Sequence, residues 1–309
     1  MKLKALSCYD GDKDTRFGDC LLIYDNSSLI VYDCGHTRHA AYVESFLRNK
    51  PTIISIYIVV SHNDSDHTNG VCELLEWLSM HNYSVKVYTH QYLKHADTII
   101  DKVDDGRRNR DSLKRALLAE FDNIKKIIEK AQELNYSTVE ALTGTTVGSC
   151  VVVGPTVDEF TDVASKAVDN RENNMIEDET VMNAASVQIK FILDDGKSIL
   201  LCGDASPNYL KDLATYDIIQ LPHHGQENDA KAIFEKLGGN AYSKDYFISD
   251  NTGSGKTSGG SDDIVKYMKR ERYNPPYSTK DKIVNLPECS VAIHSSSQGR
   301  VPLGDLGSV

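Results

Sequence analysis

The feature that most constrains this chain is a group of histidines and aspartates placed directly after its longest apolar run. The run Ile53–Val60 has the composition of a buried β-strand, and the next residues read Ser-His-Asn-Asp-Ser-Asp-His. If this loop stays extended, alternate residues point the same way, so His62, Asp64 and Asp66 would share one side. His67 follows at the start of a helix. Imidazole and carboxylate groups together bind Zn, Mn or Fe, whereas the alternative is a solvated polar loop that caps the helix.

Two further predicted strands end in residues that can bind metal. Ser198–Cys202 leads into Asp204, and Asp217–Leu221 leads into the pair His223 and His224. An aspartate after a strand can be a turn or N-cap residue, and a pair of histidines alone is a weak signal. Three strand ends with potential ligands in one chain are nevertheless difficult to explain by capping. The sequence therefore predicts a metal centre built from these three strand ends.

Strands and helices are predicted to alternate along most of the chain. A turn signal at 25–28 links the opening strands into a hairpin, which excludes an all-parallel sheet. We expect a single domain over residues 1–309, arranged as a mixed sandwich with helices outside. A helical insertion is expected around 91–140, dominated by an amphipathic helix at Arg110–Leu134. Residues 157–180 are acidic and polar and are predicted to form a loop.

The other predicted elements follow the same periodicities. The remaining predicted strands are Leu3–Tyr9, Cys20–Asp25, Leu29–Asp33, Val85–Thr89, Cys150–Val153, Val181–Leu193, Asp245–Ser249 and Cys289–His294. The remaining predicted helices are Ala40–Arg48, Gly70–His81, Asn208–Leu213, Asp229–Leu237 and Ser261–Arg272.

Composition narrows the class of protein. The 309 residues include 34 Lys and Arg against 45 Asp and Glu, a net charge of −11, which argues against a chain-wide electrostatic contact with nucleic acid. Local basic stretches at 107–115 and 266–272 are the plausible contacts to a phosphate backbone. No run is long enough to span a membrane and the first residues lack the apolar core of a signal peptide, so we expect a cytoplasmic protein without a membrane segment. No C-x-x-C pair occurs among the cysteines, which excludes zinc-ribbon and thioredoxin-type sites.

As a set, these motifs resemble those of the metallo-β-lactamase-fold hydrolases in order and spacing. The resemblance rests on four motifs: Asp33 after a strand, His-x-Asp-x-Asp-His at 62–67, Gly-Asp at 203–204 and His-His-Gly at 223–225. The common form of the second motif is His-x-His-x-Asp-His, and Asp64 stands where its second histidine is expected. The resemblance implies an α/β fold of the metallo-β-lactamase type, an αββα sandwich.

The departure at Asp64 resembles the ComEC-type branch, named after the hydrolase domain of a DNA-uptake channel. Three segments carry that resemblance: Phe17-Gly-Asp-Cys-Leu-Leu-Ile23, Asn183-Ala-Ala-Ser-Val187 and Pro222-His-His-Gly225. The branch implies a nucleic-acid-processing enzyme, so phosphodiester bonds of DNA or RNA are the expected substrate.

The resemblance also implies a binuclear site for two divalent metal ions, Zn or Mn. One ion would be held by His62 and Asp64. The other would be held by Asp66, His67 and one of the two adjacent histidines, with a bridging carboxylate between the ions. The implied ligands are His62, Asp64, Asp66, His67, Asp204 and His223 or His224, together with Asn183 as a weak ligand or supporting group.

The third loop offers two adjacent histidines, and the third motif lacks its usual one. His223 is favoured over His224 because it lies closer to the preceding strand. The usual third-motif histidine is missing, and Asn183 lies near its position. Asp33 would orient one of the loop ligands by a hydrogen bond.

A glycine-rich segment from Asp250 to Thr257 imitates a nucleotide-binding P-loop. The P-loop pattern requires glycine where Asp250 stands, and Ser258-Gly-Gly260 separates Lys256 from the next predicted helix, so we do not expect nucleotide binding there. In the ComEC-type branch this loop borders the site, which implies that Lys256 contacts a substrate phosphate; the alternative is an exposed lysine without a role. The predicted catalytic residues are Asp66, Asp204 and Lys256.

Two metals about 3.5–4 Å apart can share a hydroxide and stabilise charge on a phosphoryl oxygen. The expected function is therefore a metal-dependent phosphodiesterase or nuclease. The alternatives are a hydrolase of small esters or lactones on the same fold, and a metal-binding regulatory module without turnover. The sequence identifies no protein partner.

Overall fold

The fold is that of a computed structural model, which describes residues 1–7, 18–104, 106, 109–169, 175–176, 179–180, 182–250, 261–280 and 282–288. Its strands are β1 (Lys2–Ala5), β2 (Leu21–Tyr24), β3 (Ser28–Tyr32), β4 (Ser55–Val59), β5 (Ser84–Thr89), β6 (Ser137–Glu140), β7 (Thr146–Val147), β8 (Cys150–Gly154), β9 (Met175–Ile176), β10 (Glu179–Thr180), β11 (Gln188–Ile192), β12 (Ser198–Leu201), β13 (Ile218–Gln220), β14 (Asp245–Ile248), β15 (Tyr277–Ser278) and β16 (Val284–Leu286). Its helices are α1 (Thr37–Arg48), α2 (Ser65–Thr68), α3 (Val71–Met80), α4 (Ala96–Val103), α5 (Arg110–Glu120), α6 (Asp122–Glu133), α7 (Val157–Asp169), α8 (Pro222–Gly225), α9 (Glu227–Leu237) and α10 (Asp262–Glu271).

Two mixed sheets of seven strands each organise the described residues. The first has the order β16-β1-β2-β3-β4-β5-β6, and the second has the order β15-β14-β13-β12-β11-β8-β7. In the first, β1, β2 and β3 are antiparallel neighbours, whereas β3 to β6 are parallel. The second sheet likewise joins an antiparallel part, β7 to β12, to a parallel part, β12 to β15. The predicted mixture of hairpins and parallel strands is therefore confirmed.

The buried apolar side chains form three clusters, one between the two sheets and one between each sheet and the helices outside it. Alternate residues of the first sheet, such as Ile30 and Tyr32, pack against Ile189 and Phe191 of the second sheet. The residues between them, such as Val31, point to the other face of the first sheet and pack against the helices outside it. A third cluster joins the other face of the second sheet to α9 and α10. This is the predicted αββα sandwich.

The carboxyl ends of the parallel strands meet at one edge of the sandwich. At this edge β3 is followed by Asp33, β4 by Ser61 and His62, and β12 by Gly203 and Asp204. Because strand register places these ends side by side, loops far apart in sequence converge there. The edge is where polar residues from both sheets can form one site.

The predicted helical insertion lies between β5 and β6 and contains α4, α5 and α6. The long helix predicted at Arg110–Leu134 is interrupted at Phe121, a fully buried residue that stacks on Tyr92 with ring centroids 4.4 Å apart. The two shorter helices α5 and α6 thereby bury separate faces. The last residues of the insertion form β6, which extends the first sheet.

The prediction of a loop over 157–180 is wrong for its first half. Residues 157–169 form α7, whose buried face includes Phe160, Val163, Ala164 and Ala167 at helical spacing. Within α7, the acidic residues Asp158 and Asp162 lie on the exposed face. Residues 170–174, 177–178 and 181 lie outside the described part of the chain, and β9 pairs with β10 in antiparallel orientation.

Other predicted elements differ in detail. The strand predicted at Val181–Leu193 begins with a 3₁₀ turn, Asn183–Ala185, before β11. The helix predicted at Asn208–Leu213 is wrong, because two 3₁₀ turns at Pro207–Tyr209 and Leu213–Thr215 occupy this region. The strand predicted at Cys289–His294 lies outside the described residues, and the single domain over 1–309 stays a prediction.

The helices are all short. The longest of those described, α7, has 13 residues. No helix within the described ranges is both long enough and apolar enough to cross a bilayer.

Candidate metal centre

The loop after β4 supplies the largest share of the site. His62 and His67 are fully buried, and Asp66 faces the same space from the first turn of α2. Asp64 occupies the N-cap position of α2, yet its side chain makes no capping hydrogen bond. Its Oδ2 atom instead accepts a hydrogen bond of 2.9 Å from Nδ2 of Asn183. The capping explanation therefore does not account for this aspartate.

Asp204 lies at the centre of the site, at the end of β12. Its Oδ2 atom is 3.7 Å from Nε2 of His62, 3.5 Å from Nε2 of His67 and 3.8 Å from Nε2 of His224. Gly203, with a φ of +53°, provides the left-handed turn that brings the carboxylate inward. One carboxylate therefore faces three imidazoles from two other loops, the one after β4 and the one after β13.

The geometry favours His224 over His223 as the ligand from the third loop. Both residues have left-handed φ values, 50° and 54°, which turn the chain sharply after Leu221. The turn places His224 in the interior, with its Nε2 atom 3.4 Å from Oδ2 of Asp66. His223 lines the cavity in front of the site and is less buried. Proximity to the strand, the basis for favouring His223, does not decide which ring turns inward.

His67 is oriented by a buried carboxylate. Its Nδ1 atom is 2.8 Å from Oδ2 of Asp33, and a carboxylate only accepts, so Nδ1 carries the hydrogen. Asp33 also accepts hydrogen bonds of 2.7 Å and 2.6 Å from the backbone N and the Oγ atom of Ser61. This arrangement leaves the Nε2 atom directed at Asp204, in agreement with the orienting role expected for Asp33.

His62 is oriented by two hydroxyl groups instead. Its Nδ1 atom is 2.9 Å from Oγ of Ser61 and 3.2 Å from Oγ of Ser186. Both hydroxyls already donate elsewhere, to Asp33 and to the carbonyl of Asn183, so both accept from Nδ1. The lone pair of His62 Nε2 therefore also faces the site.

His224 has the same orientation by a third route. Its Nδ1 atom is 2.9 Å from the carbonyl oxygen of Ser249 and 3.2 Å from Oδ1 of Asp19. Both oxygens are acceptors, so Nδ1 again carries the hydrogen. Asp19 belongs to the Gly-Asp pair before β2 and is not among the residues predicted for the site. The nearest signal was that pair itself, because the partners of Asp19 lie more than 200 residues away in the chain.

The electrostatics of the site favour positive charge at its centre. Burial alone would lower the pKa of His67, but Asp204 and Asp33 hold that pKa well above the usual value. The pKa of His224 is raised in the same way, against burial, by Asp204 and Asp19. Burial and the neighbouring His67 lower the pKa of His62. Burial would raise the pKa of Asp204, yet His67 and His224 hold it well below the usual value.

The donor set fits divalent metal ions. Nε2 of His62, Nε2 of His67 and Oδ1 of Asp204 are buried and form no hydrogen bond among the described residues. Among the described residues, three groups have ligand atoms within 4.8 Å of one another: His62, His67 and Asp204; Asp66, His67 and His224; and Asp19, Asp33 and His67. Positive charge between these groups is favourable, and a divalent cation bound there would replace the protons of His67 and His224. Imidazole and carboxylate ligands of this kind suit Zn and Mn.

A cavity of about 420 Å³ opens in front of these ligands. Apart from Gly35, its lining is polar: Asn63, Asp64, Ser65, Asp66, Asn69, Asn123, Asp204, His223 and His224. Asn63 caps the helical insertion, since its Oδ1 atom accepts hydrogen bonds of 3.0 Å from the backbone N of Asn123 and of Ile124. The insertion is thereby anchored to the ligand loop. Lys256 lies outside the described residues, so its contact with substrate stays a prediction.

The comparisons with known proteins agree with this architecture. Residues 14–157 match the sequence model of the metallo-beta-lactamase superfamily. The metallo-beta-lactamase fold protein YhfI from Bacillus subtilis aligns with 92% of this chain and 98% of its own, at 11% identity and a TM-score of 0.50. No curated protein sequence matches this chain significantly.

Two further solved structures align over similar lengths with lower structural scores. A putative metallo-beta-lactamase from Thermotoga maritima covers 91% of this chain and 97% of its own, at 9% identity and a TM-score of 0.37. The short form of human tRNase Z covers 90% and 93%, at 14% identity and a TM-score of 0.39. The match over residues 14–157 and the fold shared with YhfI agree with the αββα sandwich, and this chain therefore has the metallo-beta-lactamase fold.

Proposed function

We propose that this chain is a divalent-metal-dependent hydrolase with two metal positions that cleaves phosphodiester bonds in DNA or RNA. One observation carries the metal part of the proposal. Three buried imidazoles, each with a hydrogen on Nδ1, direct their Nε2 atoms at the single carboxylate of Asp204. Protons on His67 and His224 supply positive charge there in the metal-free protein, and a divalent cation would replace them in a geometry that is usual for metal ligands.

The two positions differ in their ligands. The first would be held by His62 and Asp64. The second would be held by Asp66, His67 and His224, the last in place of the initially favoured His223. Asp204 stands between the positions, and Asn183 supports Asp64 through its amide. These assignments keep the expected ligand set and change only the preference between the two adjacent histidines, from His223 to His224.

The chemistry follows from this set. Divalent ions in such positions activate water near neutral pH and stabilise negative charge on an oxygen of the substrate. The protein residues orient the ligands: Asp33 holds the ring of His67, and Ser61 and Ser186 hold the ring of His62. Because the ligands are buried and already oriented, little reorganisation is needed during reaction.

The cavity supports a polar, anionic substrate over an apolar ester. Its lining offers amides, carboxylates and imidazoles but no large apolar side chain that could bind an acyl group. Asp64, Asp66 and Asp204 would repel a phosphate diester from a metal-free cavity, and two divalent ions would offset their charge. No described Lys or Arg lines the cavity, so the metals themselves are the expected contacts to the phosphate.

The basic stretches support a nucleic-acid substrate less than the cavity does. Arg107 and Arg108 lie outside the described residues, and Arg110 pairs with Asp101 at 2.7 Å and Asp104 at 3.3 Å. The stretch at 266–272 lies on α10, which begins beside the end of β14 and runs away from the cavity edge. The ComEC-type resemblance and the polar cavity therefore remain the main support for nucleic acid.

The direct test is a substrate panel. Metal-stripped protein would be supplied with Mn or Zn and given single- and double-stranded DNA, RNA, cyclic nucleotides, bis(p-nitrophenyl) phosphate, p-nitrophenyl acetate and a lactone. We expect metal-dependent cleavage of phosphodiesters, with Asp204→Ala protein as the control for contaminating nuclease. Turnover of only the ester or the lactone would replace the proposal with a small-molecule hydrolase. Metal binding without turnover of any substrate would favour a regulatory module.

A further inference from the structure

Asp19 is a buried carboxylate that touches both sides of the ligand cluster. It lies just before β2, and only 1% of its surface is exposed. Its backbone N donates a hydrogen bond of 2.9 Å to the carbonyl oxygen of Asp66, and its own carbonyl accepts one of 2.9 Å from Gly35. The backbone of Asp19 therefore holds the loop that carries Asp66.

The side chain of Asp19 reaches the opposite loops. Its Oδ1 atom is 3.2 Å from Nδ1 of His224. Its Oδ2 atom accepts hydrogen bonds of 2.7 Å from Oγ of Ser249 and of 3.2 Å from Nε2 of Gln220. Oδ2 is thus hydrogen-bonded, whereas the contact of Oδ1 with His224 is that of an ion pair; both contacts offset the cost of burying the carboxylate.

Gln220 extends these contacts to the turn before Asp204. Its Oε1 atom accepts hydrogen bonds of 2.9 Å from the backbone N of Cys202 and of 3.2 Å from that of Gly203. The orientation of the amide is thereby determined: its oxygen faces two donors, and its nitrogen faces Asp19 and Ser249. Asp19 is thus linked to all three loops that carry ligands.

The residue before Asp19 shows how closely the two segments approach. Gly18 has a φ of +69°, and a Cβ atom there would lie 1.7 Å from the carbonyl oxygen of Asp66. No side chain can be accommodated at that distance. The close approach to Asp66 thus requires glycine immediately before Asp19.

We propose that Asp19 is a positioning residue for the metal centre, which holds His224 and the Asp204 turn in register with Asp66 through Gln220 and Ser249. The inference rests on the metal site of the proposed function but not on its substrate. Removal of a carboxylate that supports a ligating histidine typically lowers metal affinity by about 10- to 100-fold. Asp19 contacts no substrate-facing surface of the cavity, so its effect acts through the ligands.

The arrangement of donors and acceptors around Asp19 and Gln220 suggests a substitution that disturbs only their hydrogen bonds. In Asp19→Asn, the new amide nitrogen would replace Oδ2 and face the nitrogen of Gln220, so two donors would oppose each other. Rotation of the Gln220 amide would only move the conflict to the backbone N atoms of Cys202 and Gly203. In the double variant Asp19→Asn with Gln220→Glu, the asparagine donates to the glutamate, which accepts from both backbone N atoms. The double variant therefore restores every hydrogen bond.

The experiment measures the affinity of metal-stripped protein for Zn²⁺ alone, by competition with a chelator, with no substrate present. We expect Asp19→Asn to weaken binding by about 10- to 100-fold, and the double variant to recover to within about fivefold of the natural chain. Asp217→Asn is the matched control. Asp217 accepts hydrogen bonds of 2.8 Å from both the N and the Oγ atoms of Ser198, at the opposite end of β13 from the ligands.

The outcomes separate this inference from the proposed function. Zn²⁺ affinity of Asp19→Asn equal to that of the natural chain would overturn the inference while leaving the metal site intact. An equal loss in Asp217→Asn, or no recovery in a folded double variant, would also overturn it, since general destabilisation would then suffice. Failure of the natural chain to bind Zn²⁺ would instead overturn the proposed function, and the inference with it.

Discussion

The two halves of the candidate metal centre are supported by different chemistry. In the half that contains Asp66, the imidazoles of His67 and His224 are backed by the carboxylates of Asp33 and Asp19, at 2.8 Å and 3.2 Å. In the half that contains His62 and Asp64, the supporting groups are neutral.

Those neutral groups are two hydroxyls and one amide. Ser61 and Ser186 accept from the ring of His62, and Asn183 donates to Asp64, whose side chain is 39% exposed. A carboxylate behind an imidazole increases its basicity and orients it more firmly than a hydroxyl does. The number of ligands alone therefore does not determine which position has the higher metal affinity. We expect the half whose imidazoles are supported by carboxylates to bind its ion more tightly.

The largest expected effect comes from the residue that both halves share. Asp204→Ala removes the carboxylate that faces all three imidazoles, so both positions should be lost. Hydrolysis should fall by more than about 100-fold, the upper end for residues that act only through a ligand. The fold should survive, because the three apolar clusters hold the sandwich without metal. Turnover and thermal unfolding in EDTA are the measurements.

Asp195→Ala is the control for this variant, since Asp195 lies in the exposed turn between β11 and β12. It should leave both measurements unchanged. Full activity of Asp204→Ala at full metal occupancy would remove the basis for a shared centre.

The second effect contrasts one histidine from each half. His67→Ala leaves the buried carboxylate of Asp33 without its imidazole partner, so the free energy of unfolding should fall by about 3 kcal/mol or more in EDTA. His62→Ala removes only the Nδ1–H group that donates to the hydroxyls of Ser61 and Ser186, so the free energy of unfolding should fall by about 1–2 kcal/mol. Denaturant unfolding of metal-stripped protein measures both. Equal losses, or a larger loss for His62→Ala, would show that the carboxylate support is not decisive.

A third effect should appear in metal preference. Asp64 is the residue at which this chain departs from the common motif, and a carboxylate is a harder ligand than imidazole. We expect Mn-supported activity at least equal to Zn-supported activity in the natural chain, and a shift of about tenfold toward Zn in Asp64→His. Reconstitution of metal-stripped protein with each ion measures the ratio. Activity with Zn alone in the natural chain, unchanged in the variant, would contradict the expectation.

The smallest effect should come from Asn183→Ala. It removes the 2.9 Å hydrogen bond to Asp64, worth about 1 kcal/mol, so the metal affinity of that half should fall less than tenfold. The affinity of the half that contains Asp66 should not change. Calorimetric titration resolves the two steps, and a loss in both steps would place Asn183 in a wider supporting role than its contacts suggest.

Much of the sandwich could be predicted because its signals are local. The run before His62 is apolar along its length, and the hairpin at 25–28 carries its own turn residues; both features identify strands without tertiary information. The helix α7 was missed because its exposed acidic residues dominate the composition, while the periodicity of Phe160, Val163 and Ala164 is visible only when the apolar positions are considered alone.

The site was predictable as far as its ligand types and their order in the chain. Which of two adjacent histidines turns inward depends on the left-handed backbone at both, and no local pattern specifies it. Asp19 was missed for a different reason, because its partners Gln220 and Ser249 come from the other sheet. Supporting residues of this kind are determined by packing across the sandwich rather than by spacing in the sequence.

The most direct test of the unequal halves is a metal titration followed in crystals. Metal-stripped crystals would be soaked with less than one equivalent of Zn²⁺, and the ion would be located by its anomalous scattering. We expect a single ion in contact with Asp66, His67 and His224, with the position beside His62 and Asp64 filled only at higher concentration. If the ion first occupied the position beside His62 and Asp64, or both positions equally from the start, the claim that the half supported by carboxylates binds its ion more tightly would be wrong.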